Sequence, residues 1–154
     1  MKGIELNQES LNRIQELIAA NFTGRDELYA AANSLDSEAQ QQVCHRLAEH
    51  LAGHAAELQQ IVAASGVDPA GPLDLHALAR SLFEIAKLNR GESGVLQAAT
   101  EGEHNLKQDY EAAIDETDHP QTENVLRRQR DEVEFNEQVL RGMTEASKSQ
   151  EPKK

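Results

Sequence analysis

Glu103 is an ionisable side chain where a bundle helix would place a hydrophobe. Leu96, Ala99, Glu103, Leu106, Tyr110 and Ala113 recur at intervals of 3, 4, 3, 4 and 3. That is the spacing of a buried helical stripe. A carboxylate on such a stripe needs a hydrogen-bond partner, a cation or a raised pKa. Glu101-Gly102-Glu103-His104 also spells Glu-x-x-His, the motif that bundle di-metal proteins carry on two of their helices. Phasing separates the two. With Glu103 inward, Glu101 lies about 200° away and His104 about 100° off the stripe.

Two other stripes carry polar side chains. Val43, Leu47, Leu51, His54, Leu58 and Ile61 space 4, 4, 3, 4 and 3, which puts His54 on the core face and His50 at its edge. Leu126, Gln129, Val133, Asn136, Leu140 and Met143 repeat the 3-4 rhythm with an inward Gln and Asn. A di-metal bundle would want Glu-x-x-His on these helices. Here Leu51 holds the Glu position before His54, and Val133 and Asn136 replace both ligands. The remaining candidates have structural readings. His45, His76 and His104 are expected at or near the surface, and His119 in a turn. Cys44 is expected as a small buried hydrophobe. Gly91-Glu-Ser-Gly94 lacks the strand and the Lys of a phosphate loop. Arg127-Arg128-Gln-Arg130 runs straight into Asp131, Glu132 and Glu134, a pattern of surface ion pairs.

Four main helices are needed to position these residues. The first is expected from about Gln8 to Asn33, with Gly24 marking either a close helix contact or a kink. The second runs from about Glu38 to Ala64, capped by Asp36 or Ser37. Gly66 and Pro69 end it. Residues Ser65 to Glu92 form a long connection holding a short amphipathic helix, about Leu73 to Asn89. Leu75, Leu78, Leu82, Ile85 and Leu88 supply its apolar face, and Asp74 could cap it. The third main helix spans about Ser93 to Glu116. Pro120 opens the fourth, about Gln121 to Thr144. Residues 1–144 thus form one domain, and the polar stretch 145–154 is expected to be a disordered tail.

This element order predicts an all-α, ferritin-like four-helix bundle. The long crossover makes the second and third helices parallel. Counting ~1.5 Å per residue from the helix ends places Glu103, His50 or His54, Asn136, and Asn21 or Asp26 near one level. Tyr110 and Gln129 fall a turn or two away. The expectation is a buried polar layer inside an aliphatic bundle, hydrogen-bonded through Glu103, a histidine, Asn136 and Tyr29 or Tyr110.

Charge and composition exclude several partners. The chain of 154 residues carries 27 acidic against 15 basic side chains, a formal net charge of -12. Phosphate backbones and anionic membranes are therefore disfavoured. With no Trp and three Phe the core must be aliphatic. One cysteine allows no internal disulfide. No apolar run approaches the ~18 residues of a membrane span, and residues 1–10 lack the apolar core of a signal peptide. A cytoplasmic protein is expected.

The chain resembles a bacterial ferritin-like four-helix family known mainly as a domain of unknown function. The resemblance spans roughly Leu11 to Met143. It rests on Gly24-Arg-Asp-Glu-Leu-Tyr29-Ala-Ala-Ala32, on His54-Ala-Ala-Glu57-Leu58 closing with Gly66-Val-Asp-Pro69, and on Glu101-Gly102-Glu103-His104 followed by Tyr110-Glu-Ala-Ala113. It implies the fold and little about activity. Two departures stand out. The family often has an aromatic residue in the crossover, where this chain has only Phe83, and a late His in the last helix, where this chain has Asn136. The expected function is non-enzymatic, in a stress or interaction role, with a homo-oligomer or another protein as partner. The alternative is a metal-binding or di-iron oxidoreductase holding iron or manganese on Glu103 and His54.

Overall fold

The structure, a computed structural model, describes residues 5–150. Among them all regular structure is helical: α1 Gln8–Asn33, α2 Glu38–Ala64, α3 His76–Glu116 and α4 Pro120–Gln150. The helix ends follow local chemistry. The Asn7 side chain accepts from Ser10 N at 2.7 Å, and Ser37 rather than Asp36 caps α2. At the end of α2, Gly66 takes φ 82°. Its N–H donates to Ala63 O and Val67 N–H to Val62 O, the paired bonds of a glycine-closed helix. His119 Nδ1 accepts from Thr122 N beside Pro120 at the start of α4.

α1 is unbroken through Gly24. A methyl there would come within 2.8 Å of Leu51 Cδ1, so the glycine serves a close α1–α2 approach and not a kink. α3 differs from expectation. One helical run starts at His76, broken only at Gly91 (φ 69°, ψ -162°). Asp74 does not cap it, because Leu75 holds the N-cap position with no side-chain bond. The part before Gly91 buries Ala79 and Phe83 and leaves Leu78, Leu82, Ile85 and Leu88 exposed. Its leucine-rich face therefore points away from the bundle. α4 also runs past Thr144 to Gln150, with Thr144 and Ser147 buried. That helical turn replaces the start of the expected disordered tail, and residues 151–154 lie outside the described residues.

Packing sets the helix directions. α1 packs on α2 and α3, and α3 on α4, while α2 and α4 touch only sparsely. Ser10 and Arg13 on α1 bond Glu116 at the end of α3, and Asn21 bonds Tyr110, so α1 and α3 are antiparallel. The 34–37 turn makes α1 and α2 antiparallel too, and α2 and α3 therefore run the same way. The core between them is aliphatic: Ile14, Leu17, Ile18, Leu51, Leu58, Leu96, Leu126 and Leu140 are fully buried.

Candidate functional site

A chain of hydrogen bonds crosses the bundle at Tyr110. Asn21 Nδ2 on α1 donates to the Tyr110 hydroxyl at 2.9 Å and to Leu17 O at 2.8 Å. The hydroxyl donates to Gln129 Oε1 on α4 at 2.6 Å. Gln129 Nε2 donates to Glu57 Oε1 on α2 at 2.8 Å. Arg128 closes the chain on the other oxygen of Glu57. Asn21, Tyr110 and Gln129 are fully buried. Burial raises the Tyr110 pKa, so the phenol stays a donor. Burial also works to raise the Glu57 carboxyl, but Gln129 and Arg128 outweigh it and hold the group below its usual range.

His54 stands beside this chain. Its ring meets Tyr110 edge-on, centroids 6.5 Å apart. Nε2 bonds Glu132 on α4, and Nδ1 is buried without a partner. Burial lowers the His54 pKa, while Glu132 works to raise it. Burial wins because Glu132 is itself about half exposed, at 47%, and solvent screens it. A neutral ring then donates Nε2–H to Glu132 and keeps Nδ1 as a bare acceptor.

Glu103 has different neighbours. It is buried, with Oε2 unpartnered. Burial pushes its carboxyl up to about 8, and the carboxylates of Glu27 on α1 and Glu137 on α4 push the same way. Glu27 reaches this spot because Gly102 has no side chain: a methyl there would stand 2.8 Å from Glu27 Oε2. Glu137 is buried yet well compensated, with His104 Nδ1 at 3.0 Å, Lys107 Nζ at 3.6 Å and Arg141 also bound to it. Glu103 pairs with none of these three side chains.

The residues singled out by periodicity are therefore distributed over separate sites. Glu103 and His54 share no partner, and the charged groups around His54 are Glu132, His50 and Glu57. Asp26 is buried but pairs with Arg25 at 3.0 Å and His76 at 3.7 Å. Asn136 is buried with Nδ2 unpartnered. It lines a surface cavity of about 680 Å³ with His50, Arg128, Glu132 and Phe135. His50 is exposed and outside the bonded chain. Tyr29 packs its ring edge-on against His45, centroids 5.5 Å apart, and takes no part in the network. Cys44 is fully buried, which pushes its thiol up to about 12.

Iron or manganese, the metals expected from the sequence, would need several donors converging on one point. Glu103 has carboxylates nearby and no imidazole among its charged neighbours, while His54 is committed to Glu132. Among the described residues no three His, Cys, Asp or Glu side chains converge as metal ligands. The residues present do not fit a di-metal centre. Four residues of these sites carried weak signals in the sequence. Glu57 and Glu132 flank the inward stripes, and Glu27 and Glu137 each follow a predicted residue by one position. Spacing to Arg141 at i+4 marks Glu137 as an ion-pair former, but nothing local marks it as buried. No helix among the described residues is long and apolar enough to cross a membrane. The chain matches no protein-family model and no curated protein.

Proposed function

We propose that this is a cytoplasmic, ferritin-like bundle protein that acts without catalysis, in an interaction or stress role, its interior tied by hydrogen bonds instead of a di-metal centre. The observation that carries this reading is the Asn21–Tyr110–Gln129–Glu57 chain, which links all four helices. A buried hydrogen-bonded chain of this kind fixes helix register. The long 65–75 connection and the parallel run of α2 and α3 support the ferritin-like assignment.

The test is elemental analysis of protein purified without chelator, with calorimetric titration of ferrous iron and manganese between pH 6 and 8. The expected result is less than stoichiometric metal, with Glu103→Gln retaining full helical content. Stoichiometric iron or manganese that disappears in both Glu103→Ala and His54→Ala would overturn this reading in favour of a metal-binding oxidoreductase.

A further inference from the structure

The first part of α3 carries a row of large apolar side chains that are half exposed or more. Leu78 is 57% exposed, Leu82 55%, Ile85 54% and Leu88 87%, and Leu73 just before the helix is 57% exposed. Together they leave an apolar patch of a few hundred Å², roughly the size of the largest patch on a typical monomer, which is often functional. The helix is held firmly enough to present it. Phe83 and Ala79 anchor its inner side, His76 reaches Asp26 and Lys87 reaches Asp36 at 3.1 Å, and the glycine break at Gly91 ends it.

We infer that the Leu78–Leu82–Ile85 face of α3 is the two-fold interface of a homodimer. Three observations select a second copy of this chain. Leu78, Leu82 and Ile85 space 4 and 3 along the helix, the rhythm of a coiled-coil seam that supplies both knobs and holes. Such a stripe is self-complementary, as an isologous contact requires. An interface of about 800 Å² per partner has an apolar core inside a polar rim, and this apolar stripe has Arg80, Glu84 and Lys87 beside it in the helix. The local charge also permits approach. Residues 76–90 hold Arg80, Lys87 and Arg90 against Glu84 alone, whereas the whole chain carries -12. Two copies therefore meet where their mutual repulsion is weak. That same overall charge opposes an anionic lipid surface. The interior does not enter into this inference, since a metal-loaded core would leave the stripe equally exposed.

Sedimentation equilibrium of the full chain from micromolar to sub-millimolar concentration tests it. The expected mass rises from 17.0 kDa to twice that value. Leu82→Glu combined with Ile85→Glu should hold the chain at the monomer mass with its circular dichroism unchanged, because both positions are already half exposed. The milder Leu82→Gln should weaken dimerisation about tenfold. Phe135→Glu, at an equally exposed hydrophobe on α4, should leave the dimer intact. A wild-type chain that stays monomeric throughout would overturn the inference, whether or not it binds phosphatidylserine vesicles. So would a dimer that persists in the double variant, one whose affinity is unchanged in Leu82→Gln, or one lost in Phe135→Glu.

Discussion

The Tyr110 hydroxyl sits 2.6 Å from Gln129 Oε1 and donates to it, joining α3 to α4 inside the core. Tyr110→Phe removes that donor and leaves Gln129 Oε1 buried without a partner. An unmade bond of this kind costs about 1–3 kcal/mol. Urea unfolding should show that loss. Tyr110→Phe with Gln129→Leu should recover part of it, because both partners are then apolar. Equal stability of Tyr110→Phe and wild type would mean the hydroxyl does not hold the bundle together.

Glu103 makes stability depend on pH. Its folded pKa, about 8, lies above the 4.5 of an ordinary glutamate. The folded state therefore holds the proton more tightly than the unfolded chain. The stability it contributes is fully present below pH 4.5 and is lost as pH rises through 8. While the group titrates, each pH unit shifts the folding equilibrium by up to about tenfold. Glu103→Gln should flatten this dependence and overtake the wild type at pH 8. The charged groups facing this locality are Glu27 from α1, Glu137 from α4, and His104, Lys107 and Arg141 around Glu137. Thermal melts from pH 5 to 8 on both proteins provide the check, and parallel curves would show that Glu103 ionises normally.

Gly91 is the point at which α3 changes direction. Its φ of 69° lies where a side chain is strained. Gly91→Ala should destabilise the protein by about 1–2 kcal/mol. Gly142 is exposed, helical and has open space around it, so Gly142→Ala should stabilise by up to about 1 kcal/mol. Chemical denaturation of the two variants side by side separates backbone strain from helix propensity.

Much of the architecture was legible because its causes are local. The bounds of α1 and α2 follow from their hydrophobic rhythm and from caps at Asn7, Ser37 and Gly66. The inward stations of Glu103, His54, Gln129 and Asn136 follow from the same period. The outward stripe of α3 could not be read this way, because periodicity finds an apolar face without saying what it faces. Ala79 and Phe83, and not the leucines, turned out to fill the space against the bundle.

The sequence by itself determined the helices, their caps and which side chains turn away from water, since each of these depends on residues within a turn or two. Only the tertiary structure decided which buried groups meet. One residue along a helix is ~1.5 Å and about 100°, and that step separates Asp26 from Glu27 and Asn136 from Glu137. A hydrogen bond tolerates a few tenths of an ångström, so helix counting could identify the level of Glu103 but not its company. Three-dimensional packing put two carboxylates beside it and gave His54 to Glu132.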